Sequence, residues 1–428
     1  MKEGVPLEVY LLSFGVFVIM LGFAFLMPFF PLFAKDLGAT PFDIGLLVSI
    51  FMLTRAILAP VFGKISDESG YRKNILLLGS VMYAVLMIAF ALSQNILELF
   101  VIRALQGIAS AAYWPIAESL IADLTPMKYR GRAMGVYMTS NNMAFFLGPG
   151  AAGVIFIIFN KYYGFTELLS YRFSFIIAGL IAFLSTAIIL VGVKEPSVEK
   201  KREIERANAK YINKIGYRDI HEMYDINKAL LSFYIMALAN GFAMGMSMPI
   251  FVLYMSDFLK FQPEYIGFVL SAAGFSNIVS SYPAGWLSDK FGRRGVIIIG
   301  MFFSRLASII LPFTNDQIYF TGTVVTRSFF FNVASPSFRA LQADIVSFES
   351  RGKVFGLVQA FFNVGAIFGP AIGTYIYQLY YNDVFQVNLA IVKLWMYGPA
   401  INFIISGFVG LFSLAIFIVF VKPRKKKN

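Results

Sequence analysis

Residues 63–73 read Gly-Lys-Ile-Ser-Asp-Glu-Ser-Gly-Tyr-Arg-Lys, and residues 285–294 read Gly-Trp-Leu-Ser-Asp-Lys-Phe-Gly-Arg-Arg. Both carry Gly-x3-Asp-x2-Gly-x-Arg, and Gly63, Asp67 and Gly70 recur 222 residues later as Gly285, Asp289 and Gly292. Glycine suits places where a backbone turns tightly or another comes close. At an offset of 221 residues, Pro28 matches Pro249, Pro115 matches Pro336, and Asp123 matches Asp344. Arg130-Gly131, Gly135, Asn142 and Gly148-Pro149 likewise recur as Arg351-Gly352, Gly356, Asn363 and Gly369-Pro370. So many matches at one spacing mean a duplication.

What is duplicated is a set of membrane spans. Of the 428 residues, 58% are apolar and only 14% charged, where a soluble domain has about 25% charged. Apolar runs near the ~20 residues that cross a bilayer fall at 9–33, 42–62, 74–93, 97–121, 132–158 and 172–193. In the second half they fall at 229–256, 263–285, 295–313, 317–340, 352–380 and 391–421. The first is too long for a secretory signal and counts as a helix. The expected fold is all-α: twelve transmembrane helices in two pseudo-symmetric six-helix bundles. Residues 1–193 form the first bundle, 194–228 a cytoplasmic linker, and 229–428 the second bundle with a basic tail.

The net charge of +12 is a signal of topology. Arg72-Lys73, Lys128 to Arg132, residues 194–228, Lys290 to Arg294 and Lys422 to Lys427 all fall on one side, which the positive-inside rule makes cytoplasmic. Both termini are then cytoplasmic, in a multi-pass protein of the cell membrane with lipids as its neighbours. This charge pattern excludes nucleic acid as a partner. A single histidine, His221 in the linker, and no cysteine leave little for metal or thiol chemistry. Without a Walker sequence or a paired-acid site, no enzyme and no cofactor are expected. Two six-helix halves create a central seam where a site opens to either side as the halves rock, so the architecture implies a carrier, expected to be a monomer.

The paired loops resemble the signature loop of the major facilitator superfamily. Helix 11 contains Gly356-x8-Gly365-x3-Gly369-Pro370-x2-Gly373, the motif associated in that superfamily with antiporters. Helix 5 has the softened form Gly135-x8-Ala144-x3-Gly148-Pro149-x2-Ala152. Gly148, Pro149, Gly369 and Pro370 are expected to let these helices pack closely and bend. Arg103-x2-Gln106-Gly107 is similar to the family motif with an intramembrane arginine, and Leu21-Gly22-x5-Pro28-x2-Pro31 to a pattern of twelve-helix drug–proton antiporters. The resemblance implies that Asp67 faces the N-terminal end of helix 11 and that Arg72 pairs with Asp123. Asp289, Arg293 and Asp344 would repeat these contacts, and together the groups would gate the cytoplasmic side.

Charges inside a membrane are costly and face a cavity or a partner. Arg103, Gly107, Ser110 and Trp114 form one stripe of helix 4, with Gln106 and Glu118 at its edges. The expected substrate-binding set is Arg55, Arg103, Gln106, Trp114, Asn142, Arg327, Gln359 and Asn363, with the stripe on the seam; structural pairing is the alternative for each. Arg305, on a peripheral helix of this fold, is expected to pair structurally or snorkel. Helix 1 has no acid in its apolar run, so Glu118 is the candidate for proton coupling. The leading expectation is a secondary carrier that exports a small drug-like molecule, coupled to protons. The alternative is an exchanger of organic anions, because three arginines make a positive lumen suited to an anionic or amphipathic substrate.

Overall fold

A computed structural model of the chain describes residues 4–197, 199–200, 202–204, 206–208, 225–346, 351–388 and 393–422. His221 and the basic tail beyond Lys422 lie outside the described residues, as do the side chain of Asp289 and the surroundings of Gly285. Among the described residues are twelve long helices. They are α1 (Leu7–Asp36), α2 (Pro41–Ser69), α3 (Arg72–Leu92), α4 (Ile96–Leu124), α5 (Met127–Ile157) and α6 (Glu167–Gly192) in the first half. The second half supplies α7 (Ile226–Asp257), α8 (Pro263–Phe291), α9 (Arg293–Ile310), α10 (Gln317–Ile345), α11 (Arg351–Leu379) and α12 (Ile401–Phe420). At 1.5 Å per residue, the 30 residues of α1 reach about 45 Å, beyond the ~30 Å hydrocarbon core. All but α8 and α10 meet a strict criterion of length and apolarity. Those two carry Asn277, Arg327 and Asn332 within their spans.

Several helix starts are written into the sequence. Asn95, Thr166, Asp225 and Asp316 each accept a hydrogen bond from a backbone N–H of the first turn that follows, satisfying donors that no helical carbonyl reaches.

The chain divides into two units: residues 1–38 with 50–218, and residues 39–49 with 219–428. In the first, α1 packs on α5 and α6, and α3 on α4 and α6. In the second, α7 packs on α11 and α12, α9 on α10 and α12, and α8 on α10. The shared pattern is the duplication seen in three dimensions. Residues 39–49, the start of α2, pack with the second unit instead of the 1–193 set in which the sequence places them. There Ser49 donates to the carbonyl of Ile367 (2.7 Å), and Gly45 lies flush against Pro370 and Thr374.

Small residues make these crossings possible. A Cβ on Gly148 would overlap Ala24, while one on Gly365 or Gly369 would strike the backbone of α7. Helices α5 and α11 run on past Pro149 and Pro370. Gly356, of the same α11 motif, has open space around it. Gly365→Leu is therefore expected to lower thermal stability by about 1–3 kcal/mol, the usual cost of overpacking, and Gly356→Ala to change it little. Melting curves of the purified variants check this; equal midpoints would contradict the packing role.

The twelfth span requires a correction. Residues 391–421 were expected to be helical, but Lys393–Tyr397 forms strand β2, antiparallel to β1 (Val384–Asn388), and α12 starts only at Ile401. The apolar run Leu394–Tyr397 has strand-length, aromatic composition, and Gly398-Pro399 ends it before the helix. Phe258 anchors the hairpin, its ring 4.9 Å from that of Tyr397 and 5.2 Å from that of Tyr381.

Candidate functional site

The signature segments, expected as loops, are the closing turns of α2 and α8. Gly70 (φ +72°) and Gly292 (φ +79°) end these helices in the left-handed region that favours glycine. The next helix then begins with an arginine. Arg72 donates from Nε to Asp123 (2.6 Å) and from Nη1 to Ser66 (3.1 Å), and pairs with Asp67 at 2.9 Å. In the second unit Arg293 pairs with Asp344 and donates to the carbonyl of Ala340 (2.7 Å). Each pair ties the start of one helix to the end of another: α3 to α4 in one unit, α9 to α10 in the other. Asp67 is largely exposed, whereas Arg72 and Asp123 are only 17% and 26% exposed. Arg130, also repeated in sequence, donates to the carbonyls of Ala122 and Thr125 and closes the end of α4.

The first unit gathers a polar cluster among aromatic rings. The Arg103 guanidinium lies 4.5 Å from the ring centre of Phe30 and 4.7 Å from that of Phe51, and donates to Gln106 Oε1 (3.1 Å). Gln106 in turn meets Met87, and Gly107 lets α2 approach closely at Thr54. Arg103 is 6% exposed, and Gln106 and Ser110 are fully buried. The stripe was expected to line an open seam. Instead it is packed inside the first unit against α1, α2 and α3, because Gly107 brings α2 over it. Half-buried Trp114, stacked edge-on against Tyr113 (4.9 Å), is its less enclosed end.

Arg55, one turn beyond Phe51 on α2, is within electrostatic range of Glu118, Tyr137 and Tyr83. The Tyr137 hydroxyl donates to the Glu118 carboxylate. An acid, a base and a phenol from α4, α2 and α5 thus form one interacting set. Sequence reasoning singled out Arg55 and Glu118 and missed Tyr137 and Tyr83, since nothing distinguishes them among 22 tyrosines. Asn142 is half-buried on α5.

The second unit repeats the scaffold with different charges. Phe251, 221 residues after Phe30, stacks on Arg327 (4.9 Å) as Phe30 stacks on Arg103. Arg327 occupies the position of Gln106 and donates from Nε to Ser308 (2.9 Å). Asn277 stands where the first unit has Arg55, and accepts from Ser328 (3.2 Å) and Asn332. Arg339 stands where the first unit has Glu118. Gln359 donates to Asn363 (2.9 Å) one turn along α11. Of the two expectations for Arg305, the structure has the pairing: it is 4% exposed and donates to Asn240 of α7. Gly410 supplies the space for its side chain.

Known proteins share this fold along nearly the whole chain. The family model for the Major Facilitator Superfamily matches residues 12–231 and 233–428. The chain belongs to the major facilitator superfamily. It is a transporter of this superfamily, whose members are not enzymes. It is 25% identical over 376 residues to the quinolone resistance protein NorA of Staphylococcus aureus, covering 87% of this chain and 90% of that protein. It is 26% identical over 397 residues to the multidrug resistance protein MdtG of Proteus mirabilis, covering 90% and 93%. Solved structures with the same fold include the nucleoside transporter NupG (TM-score 0.72, 12% identity, 97% of this chain and 100% of that one). The xylose transporter XylE from E. coli is another (0.69, 14%, 98% and 97%). As a facilitator of this class the protein is a multi-pass membrane protein, as its apolar helices require.

Proposed function

We propose that the protein is a drug exporter of the cell membrane that exchanges a small amphipathic molecule for protons by alternating access. The observation that carries the reading is similarity along nearly the whole chain to two resistance proteins, NorA and MdtG. It works as a monomer with both termini in the cytoplasm. Its cargo is met by Arg55, Trp114 and Asn142 from the first unit and by Gln359 and Asn363 from the second, with Gln106 and Arg327 acting from inside their units. Arg103, enclosed between two rings, acts on the cargo through the field it sets up. Arg72–Asp123 and Arg293–Asp344 serve the conformational change, assisted by Asp67.

Glu118 supports proton coupling because a base, Arg55, and a phenol, Tyr137, lie beside it. When ionised it is held by Arg55 and the Tyr137 hydroxyl; when protonated it releases the attraction to Arg55. A carboxyl whose partners change between two states of a carrier gains and loses its proton in step with them. Glu118→Gln fixes the neutral form, so in everted vesicles it abolishes proton-driven drug accumulation while exchange of labelled for unlabelled drug at equal pH continues. Unchanged proton-driven accumulation removes Glu118 from the mechanism. The export reading itself is tested in cells stripped of their own pumps, where expression of the chain is expected to lower uptake of a quinolone and a cationic dye. Equal uptake with and without the chain contradicts it. Exchange of organic anions is the second reading, favoured by the arginine pair of the second unit, which has no acidic neighbour among the described residues.

A further inference from the structure

The two units solve the cost of intramembrane charge differently. In the first, Arg55 has Glu118 within electrostatic range. In the second, Arg305 and Arg327 lie within electrostatic range of each other, and no acidic side chain is near either among the described residues. Two like charges taken out of water repel, and each carries an insertion cost of its own.

The described partners leave much of that cost unmet. A guanidinium has five N–H donors. Arg305 uses one on Asn240, and Arg327 uses its Nε on Ser308. The faces of Phe331 (5.8 Å from Arg305) and Phe251 (4.9 Å from Arg327) add cation–π attraction but accept no hydrogen bond. The two bases are held to one helix: Arg305 and Ser308 are three residues apart on α9, hence on one face, and Ser308 receives Arg327 from α10. The hydroxyl of Ser304, one turn before Ser308, is buried and has no partner. Gly410 on α12 clears the path that Arg305 takes into the unit. The guanidinium donors outnumber the acceptors that meet them.

We propose that Arg305 and Arg327 form an anion site inside the second unit, which takes a singly charged anion: a halide or the carboxylate of a small organic acid. The anion supplies the negative charge that the first unit supplies with Glu118; a carboxylate accepts the guanidinium donors in the bidentate manner to which arginine is suited, and a halide accepts them at one atom. The site does not depend on the export reading, since a carrier of any cargo can hold such a counter-charge.

The test is thermal melting of the purified full-length chain at constant ionic strength, with chloride replacing a bulky sulfonate that carries no carboxylate, and a second arm in which benzoate replaces it. Either anion is expected to raise the midpoint saturably; chloride alone marks the free ion as the occupant, benzoate alone the organic carboxylate. In Arg327→Gln, half-saturation moves to an anion concentration about tenfold higher or more, the loss of one charge-assisted contact. Arg327→Lys keeps part of the response. Asn240→Asp places a carboxylate beside Arg305, so the protein stays folded and no longer responds to either anion. No saturable response to chloride or benzoate overturns the proposal, as does the same response in wild type, Arg327→Gln and Asn240→Asp. Melting does not require transport, so this outcome is separable from any failure of the export reading.

Discussion

Asp123→Asn slows transport by about tenfold or more while substrate affinity stays within a few-fold of wild type. A charge-assisted bond contributes about 1.5–3 kcal/mol, and 1.4 kcal/mol is a factor of ten. Arg72 Nε lies 2.6 Å from Asp123, and both side chains are mostly enclosed. The asparagine keeps the size of the side chain but loses the charge, so the junction of α3 and α4 loosens in the state that holds the pair. Asp67→Asn has a smaller effect, because Asp67 is 68% exposed and exposed pairs are worth about 0–1 kcal/mol. The repeat predicts that Asp344→Asn behaves like Asp123→Asn. Transport rates alongside equilibrium binding of the same substrate check the ranking; an Asp123→Asn protein that turns over at the wild-type rate contradicts it.

Arg103→Met gives a protein that folds and melts near wild type but transports at least about tenfold more slowly, a barrier change of ~1.4 kcal/mol. The reasoning turns on what the charge costs. An apolar residue of similar volume in place of a buried ion is often neutral or stabilising, and methionine fits between the Phe30 and Phe51 rings that now flank the guanidinium. A charge whose removal does not harm the fold is kept for what its field does. Tyr83 lies in the range of both Arg103 and Arg55, so the field reaches the Glu118 set. Arg103→Lys keeps the charge but loses the planar stacking, and transports at an intermediate rate. Normal transport by Arg103→Met leaves the arginine with a packing role only.

Much of this architecture is legible in the sequence because the bilayer enforces it. Apolar runs of about 20 residues announce helices, and a duplicated chain repeats its glycines, prolines and acids at one offset. The pairing of Arg72 with Asp123, and of Arg293 with Asp344, followed from the resemblance of the signature segments. Those segments were misread as loops since their charges suggest solvent; the helices continue past the apolar runs until Gly70 and Gly292 stop them. The strand pair Val384–Asn388 and Lys393–Tyr397 was hidden because a short apolar run fits a strand or a helix equally.

The interior of each unit was less legible. Helical periodicity placed Arg103 on a polar stripe but could not show that Gly107 admits α2 over that stripe. With 47 phenylalanines in the chain, no local signal marks Phe30, Phe51 and Phe251 as the rings that cover arginines. Their relation emerges only when structure and repeat are combined: the ring keeps its place at the 221-residue offset, while the arginine moves by nearly one turn, from the position of Arg103 to that of Gln106. For Arg305 the sequence left pairing and snorkelling open, and Gly410 lets the side chain turn inward and pair.

The central claim is proton-coupled export, and purified protein in liposomes tests it most directly. With the interior made acidic relative to the bath, the account predicts accumulation of an amphipathic quinolone or a cationic dye against its gradient. Accumulation should collapse when a protonophore dissipates the pH difference, and should be absent in the Glu118→Gln protein. Uptake that ignores the pH gradient, or that requires an opposing organic anion in place of protons, would contradict it.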